Sequence, residues 1–178
     1  MFTRQEVCAL TGIPVERFKS LVRRDQIAII LANESGWNYF SAMDVFRIAI
    51  QERLSCQIGY ADGLSADTAA KIISNNAEGI EEVFWQSLGK KAAPDKWFGY
   101  VGFSGDLDVN NGGDGVFGTL SEVTKLIERK DRNGEQPMRV FLVNADSVLR
   151  EVAARATKHL NIDFIVSGKT EMADAARE

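Results

Sequence analysis

Apolar residues at the start of the chain recur at helical spacing and are interrupted once by a short turn. Thr3 and Glu6 are spaced as a capping box, which predicts the start of a helix. Gly12 predicts its end, because glycine accepts the left-handed conformation common after a helix. Pro14 suits the first turn of a second helix. The residues expected to face the core are Val7 and Leu10 on the first helix and Val15, Phe18, Leu21 and Val22 on the second.

The pattern then changes to that of a short hairpin followed by two more helices. Two β-prone runs, 27–31 and 37–40, enclose residues with turn chemistry. Ser41 and Ser65 are placed to cap a third and a fourth helix. We therefore predict that residues 1–76 form a helix-turn-helix with a β-hairpin wing.

Strand patterns and helix patterns alternate in the second half of the chain. Strands are expected at 97–103, 138–143 and 162–166, and helices at 119–130 and 145–160. The strand at 138–143 is expected to be buried. The residues expected to face inward on the helix at 119–130 are Leu120, Val123, Leu126 and Ile127. Such alternation predicts a small, mostly parallel α/β sheet with covered faces. The glycine-rich residues 113–118 are interpreted as a flexible loop.

The predicted fold class is therefore α+β or α/β with two modules. The first is the winged helix-turn-helix of residues 1–76. A helical linker at 77–94 joins it to a small α/β sheet domain at 95–178, expected to serve oligomerisation or sensing.

Charge is distributed unevenly along the chain. The net charge is −4, yet residues 1–76 carry 8 basic and 8 acidic side chains. The acidic excess lies entirely in residues 77–178, with 13 basic and 17 acidic side chains. Screening limits fields to roughly 8–10 Å at physiological salt, so a local basic surface can still attract phosphate. An acidic average therefore does not exclude a nucleic-acid partner.

Composition excludes several classes of site. A single histidine, His159, rules out a histidine-rich metal centre. Cys8 and Cys56 stand far apart without a CxxC pattern, which favours a reducing compartment. The sequence shows no signal-like segment and no apolar run of membrane length, so a cytoplasmic location without a membrane partner is expected. We also expect no enzyme activity, no catalytic residues, no cofactor and no metal.

The outward face of the second helix is the candidate recognition surface. Helix-turn-helix motifs place this helix in a DNA groove, where basic and hydroxyl side chains contact phosphates and bases. The residues expected on this face are Glu16, Arg17, Lys19, Ser20, Arg23 and Arg24.

A known family shows the same ordered features. They are Phe2-Thr3 with Glu6-Val7, Leu10 to Ile13, the basic helix from Val15, Gly36 before Tyr39, Ser41 with Asp44-Val45, and Gly63 to Ser65 with Ile72. In these features residues 1–76 resemble the winged helix-turn-helix of the MerR family of bacterial regulators. Related modules occur in phage excisionases and small terminase subunits.

The resemblance implies that the second helix enters the major groove and that the wing contacts the DNA backbone. The DNA-binding residues it implies are Arg17, Lys19, Ser20, Arg23 and Arg24 on the helix, and Trp37, Asn38 and Tyr39 on the wing. The long dimerisation helix of the family has no counterpart here. Self-association is therefore expected in residues 92–178, with Trp97, Phe98 and Phe117 as first candidates.

The leading hypothesis is a sequence-specific transcriptional regulator of bacterial or phage type that binds double-stranded DNA as a homodimer. The sequence does not define a small-molecule effector. One alternative is a phage or mobile-element assembly or recombination accessory protein that uses the winged module as an adaptor. Another is nucleotide binding in the α/β half, because residues 113–118 spell a formal GxGxxG. The negative charge of Asp114 disfavours a phosphate there.

Overall fold

A computed structural model describes residues 1–29, 39–55, 63–89, 95–103, 113–129 and 137–165. Within these ranges the protein is a mixed α+β fold with seven helices and one three-stranded antiparallel sheet. The elements are α1 (Arg4–Thr11), α2 (Val15–Arg23), α3 (Ala42–Ser55), α4 (Ala66–Asn75), α5 (Ala77–Gly89), β1 (Lys96–Phe103), β2 (Gly113–Thr119), α6 (Leu120–Arg129), β3 (Pro137–Asn144) and α7 (Ala145–Leu160).

The two helices predicted at the start of the chain are confirmed as α1 and α2. Their predicted inward residues are buried, apart from Val22, which is partly buried, and Val15. Val15 is 41% exposed, so its inward orientation was predicted wrongly. It is the first residue of α2 and directly follows the turn, ahead of the stretch where Phe18 and Leu21 enter the core.

Most of the predicted wing lies outside the described residues, including Trp37 and Asn38. Residues 27–29 form bends instead of a strand. At the other end, Phe40 forms an isolated antiparallel bridge with Phe2. The Phe2 N–H donates to the Phe40 carbonyl at 2.7 Å, and the Phe40 N–H donates back to the Phe2 carbonyl at 2.8 Å. The chain that follows the predicted wing is therefore fixed beside the N-terminus.

The third and fourth predicted helices are confirmed with their caps. The Ser41 hydroxyl accepts from the Asp44 N–H at 3.0 Å, and the Asp44 carboxylate accepts from the Ser41 N–H at 3.0 Å. The Ser65 hydroxyl accepts from the Thr68 N–H at 3.1 Å. These bonds satisfy amide groups that the first turn of a helix leaves without partners.

One buried polar side chain, Gln51 of α3, joins three separate parts of the N-terminal half. Its amide nitrogen donates to the carbonyls of Gln26 at 2.7 Å and Ala66 at 3.2 Å. Its amide oxygen accepts from the Ala28 N–H at 2.9 Å. Gln51 therefore fixes the segment that follows α2 and the start of α4 to the middle of α3.

The relative direction of the strands differs from the predicted one. β1 lies in the centre, and both β2 and β3 pair with it antiparallel. The expectation of a mostly parallel sheet is therefore wrong. β2 and β3 run in the same direction and are joined through α6, but β1 lies between them. The alternation of strand and helix patterns correctly predicted that a helix, α6, lies between β2 and β3 in sequence. It did not reveal that β1 lies between these two strands in the sheet.

The glycine-rich segment 113–118 belongs to β2, so its interpretation as a loop is wrong. Its backbone pairs with β1 from Gly102–Gly113 to Lys96–Thr119. Glycine is required for close packing here. A Cβ atom at Gly115 would lie 2.3 Å from the side chain of Asn76, at the end of α4.

Two further predictions of burial fail in the second half of the chain. β3 was expected to be a buried strand, yet it forms a sheet edge, and Met138 is 68% exposed. On α6, Val123 is buried as predicted, whereas Leu120 and Leu126 are exposed. A helix that covers only part of a three-stranded sheet has room for few inward side chains.

The strand predicted at 162–166 is wrong over its described part. Phe164 and Ile165 are helical, and no described residue of this segment joins the sheet. The buried Phe164 ring packs instead against Phe2, with ring centroids 5.6 Å apart. Apolar residues outside helical spacing indicate burial, and here Phe164 is buried beside Phe2, which precedes α1.

The largest core cluster runs from Phe2 to Phe164 and includes residues of both halves. α5 belongs to this core, with Phe84 fully buried and its ring 5.0 Å from that of Phe46. Gly79 lies within α5 and does not break it. A second, smaller cluster fills the space between α6 and the outer face of the sheet. The predicted boundaries at 76 and 95 remain predictions.

Replacing Gln51 by Leu should lower the free energy of unfolding by about 2–4 kcal/mol. The substitution roughly keeps the volume and leaves the buried Ala28 N–H without its partner, at roughly 1–3 kcal/mol, while the two part-buried carbonyls of Gln26 and Ala66 lose theirs at a smaller cost. Urea denaturation followed by circular dichroism measures the loss. Gln86→Leu is the matched control, because Gln86 is exposed on α5. Equal stability of the two variants would contradict the role of Gln51.

A fragment of residues 1–76 should lack a cooperative unfolding transition. Without α5 and α7, the fully buried Phe46 loses its contact with Phe84, and the inward side of α1 is opened to water. Urea titration beside the full chain provides the comparison. A sigmoidal transition of the fragment would show that the N-terminal residues fold independently.

Candidate nucleic-acid interface

α1 begins at a complete capping box. The Thr3 N–H donates to the Glu6 carboxylate at 2.7 Å, and the Glu6 N–H donates to the Thr3 hydroxyl at 3.4 Å. The bonds from the Thr3 backbone and hydroxyl hold the pKa of Glu6 below its usual value. The cap therefore keeps a negative charge at the helix start, where the helix dipole favours it.

The turn between α1 and α2 consists of Gly12, Ile13 and Pro14. Gly12 has a φ of 78°, and its N–H donates to the Cys8 carbonyl at 2.9 Å. Ile13 is buried and holds the middle of the turn against the core. Pro14 precedes the first residue of α2, where its fixed φ suits a helix start.

A guanidinium from α7 covers this turn. Arg155 Nη1 lies 3.4 Å from the Leu10 carbonyl, in the last turn of α1, and Arg155 Nη2 donates to Glu151 at 2.8 Å. Glu151 also pairs with Arg53 of α3. A positive group is favoured at the C-terminal end of a helix. The turn is therefore attached to the C-terminal half of the chain through charged side chains.

The structure divides the predicted basic face of α2 into two parts. In the first half of the helix, Arg17 pairs with Glu52 of α3 at 3.1 Å. Lys19 pairs with Glu16 at 2.8 Å on the helix surface. Both cations predicted to contact DNA here are thus neutralised within the protein.

The last turn of α2 carries the remaining predicted residues. Ser20 is partly buried, and its carbonyl accepts from the Arg24 N–H at 3.1 Å. Arg23 and Arg24 are exposed, and neither side chain makes an ion pair or hydrogen bond with any residue that the structure describes. The helix end carries a partial negative charge that favours these cations. The available positive charge is therefore concentrated at the C-terminal end of α2.

Of the three wing residues predicted to contact DNA, Tyr39 is the one within the described ranges, and it is 58% exposed. The neighbouring Phe40 is buried, and its ring meets the edge of Phe18 in α2 at a centroid distance of 5.8 Å. Phe40 and α2 are therefore joined through the core, while Tyr39 lies at the surface. Trp37 and Asn38 stay predictions.

The alternative nucleotide site finds little support in the geometry. A phosphate-binding GxGxxG lies in the turn between a strand and a helix, whereas residues 113–118 lie within β2. A cleft beside Gly118 measures about 370 Å³ and is lined by Lys96 and Lys125 but also by Glu82 and Glu122. These carboxylates would repel a phosphate.

Other chemical centres are not formed by the residues that the structure describes. They contain no group of three or more side chains suited to hold a metal ion. Cys8 is buried, and burial raises the pKa of its thiol, so the reactive thiolate is disfavoured. His159 is exposed in the last turn of α7, as expected for a side chain that favours a helix C-terminus.

Sequence reasoning missed the residues that hold the candidate interface in place. Arg155 reaches the α1–α2 turn from 145 residues further along the chain. The Phe2–Phe40 bridge joins residues on either side of both helices. No local pattern marks such contacts. The sequence feature that could have indicated these contacts is the apolar stripe of the helix that carries Arg155, because such a stripe predicts packing against another element.

Comparison with known proteins adds no relative. No known protein family matches the chain, and no characterised protein matches it in sequence. Among the described helices, none combines the length and the apolar character needed to cross a bilayer.

Gly12→Ala should destabilise the protein through two separate effects. The left-handed conformation costs a residue with a Cβ roughly 1–2 kcal/mol. In addition, the new Cβ would lie 2.2 Å from Arg155 Nη1. A double-mutant cycle with Arg155→Ala separates them, because the second substitution removes only the clash. We expect a coupling above about 0.5 kcal/mol in urea unfolding. Additive losses would show that Arg155 does not cover the turn.

Proposed function

We propose that the protein is a sequence-specific DNA-binding regulator of bacterial or phage type, with α2 as its recognition helix. The observation that carries the proposal is the pair Arg23 and Arg24, exposed at the end of the second of two helices joined by a short turn and free of ion pairs with described residues. Arginine on an exposed helix end can reach phosphates or guanine edges. The role assigned to the protein is binding, with no catalytic step.

The two ion pairs that α2 makes within the protein determine how easily Arg17 and Lys19 can bind a DNA phosphate instead. The Lys19–Glu16 pair lies on the helix surface, and such pairs contribute only about 0.2–0.5 kcal/mol, so Lys19 can exchange Glu16 for a phosphate. Arg17 is joined to Glu52, whose side chain is only 22% exposed. Arg17 is therefore expected to orient α2 against α3 and to contact DNA less than the other cations.

The accessory-protein alternative has one observation in its favour. Half of the predicted basic contacts of α2 are satisfied within the chain, and Glu16 adds a negative charge near the helix start. A phage or mobile-element assembly protein would use the same helix to bind another protein. DNA binding that depends on salt and on α2 discriminates between the two functions.

Replacing Arg23 and Arg24 by Ala should weaken DNA binding with only a small loss of stability, because both side chains are exposed and lose only a favourable interaction with the helix end. If each neutralises one phosphate, the slope of log affinity against log salt should become less negative by about 1.8. The measurement is fluorescence anisotropy with a duplex selected from random DNA, at about 50 mM and 200 mM salt.

The matched control is Lys125→Ala with Lys158→Ala. It removes two exposed positive charges of α6 and α7, so the net charge changes equally while α2 stays intact. The control should retain both affinity and salt slope. Equal weakening of both double variants would mean that net charge, and not α2, determines binding. Unchanged affinity of the arginine variant would exclude this helix from the interface.

A further inference from the structure

The cleft beside Gly118 lies at the edge of β2, between α5 and α6. Phe117 and Val116 are neighbours in β2, so their side chains point to opposite faces of the sheet. The Phe117 ring packs on Gly79 of α5, where a Cβ atom would lie 2.5 Å from it. Val116 belongs to the small cluster that also contains Val123 of α6. The two helices therefore cover opposite faces, and the cleft opens between them across the strand edge.

Two apolar side chains line the cleft, Phe117 from β2 and Leu126 from α6. Leu126 is 37% exposed, so the cleft has apolar surface that a ligand can cover. Small-molecule sites are concave, mostly apolar and carry a few polar groups that orient the ligand. The volume of about 370 Å³ lies within the size of such sites. The cleft can therefore hold the apolar part of a small molecule.

Four charged side chains surround this apolar lining, two of each sign. Lys96 Nζ and the Glu122 carboxylate lie 3.7 Å apart and balance each other. Lys125 of α6 makes no ion pair or hydrogen bond with any residue that the structure describes. Glu82 of α5 accepts from the neutral Gln86 amide at 2.6 Å and makes no ion pair within the same part of the chain. One cation and one carboxylate, on different helices, are thus left without an opposite charge.

We propose that this cleft binds a free amino acid with an apolar side chain, whose carboxylate pairs with Lys125 and whose ammonium group pairs with Glu82. The apolar side chain of the ligand lies against Phe117 and Leu126. Both charged side chains of the protein are long and exposed, so their ends can move to meet the ligand. A ligand with one charge of each sign satisfies both groups, whereas an anion is repelled by the carboxylates of the cleft.

The proposal goes beyond DNA binding, because it gives the protein a small-molecule ligand, and it is tested without DNA. The probes are L-leucine and L-phenylalanine, titrated into the full chain and followed by amide NMR spectra. Exposed ion pairs contribute little free energy, so dissociation constants in the millimolar range are expected. The amide signals of Gly118 and Leu126 should shift. Glycine has both charges and no side chain, so it should bind more weakly than either probe.

Two substitutions combined with two ligand analogues assign a partner to each charge. Leucinamide lacks the carboxylate, and N-acetyl-leucine lacks the ammonium group. Lys125→Ala should weaken the binding of L-leucine about two- to fivefold, as expected for one exposed ion pair, and should not weaken that of leucinamide. Glu82→Gln should weaken the binding of L-leucine similarly and should not weaken that of N-acetyl-leucine. A general distortion of the cleft would weaken the binding of all three ligands.

Lys158→Ala and Glu81→Gln are the matched controls, because they remove exposed charges of α7 and α5 that do not line the cleft. Both should bind L-leucine as the unchanged chain does. The proposal is overturned if neither probe binds, if glycine binds as tightly as both, or if the controls weaken binding as much as the cleft variants. Equal effects of Lys125→Ala on L-leucine and leucinamide would also overturn it. A failure of DNA binding leaves these results unaffected.

Discussion

The packing of α7 is the constraint on which the rest of the structure depends. Its buried side, which includes Val148, Leu149, Val152 and Ala156, belongs to the main core and contacts α1, α3, α5 and two strands. Burying each large apolar side chain contributes roughly 1.5–3 kcal/mol. Because the same helix contacts the N-terminal helices and the sheet, neither group has a complete core without it. The turn between α1 and α2 is held from this helix as well, through Arg155.

This arrangement gives a physical connection between the sheet and the candidate recognition helix. α2 itself contributes few core residues, chiefly Phe18 and Leu21. Its orientation is therefore set by its neighbours: α1 through the turn, α3 through the Arg17–Glu52 pair, and Phe40 through its ring contact with Phe18.

Local features of the fold could be predicted from the sequence, and long-range ones could not. The caps at Thr3, Ser41, Ser65 and Thr119 each depend on residues three positions apart, so the helices that they open were placed correctly. The sheet order depends on pairing between distant segments, which hydrophobic periodicity does not encode. The glycines of 113–118 suggested a loop, although these residues form β2. Gly115 is needed because Asn76 packs closely against it, and the sequence does not show that contact. At the candidate site, basic residues were found by type, but their partners Glu52 and Glu16 determined which remain available.

The number of available charges makes association between copies important for the proposed function. With Arg17 paired to Glu52, one copy offers Arg23 and Arg24, which make no ion pair with described residues, and Lys19 in exchange for Glu16. Three phosphate contacts correspond to a salt slope of only about −2.7, which is small for a DNA-binding protein. A second copy doubles the contacts, and binding of one copy raises the effective concentration of the other at its half-site. Under the proposed function, an acidic chain with so small a basic surface would therefore need a second copy at a neighbouring half-site to bind DNA tightly.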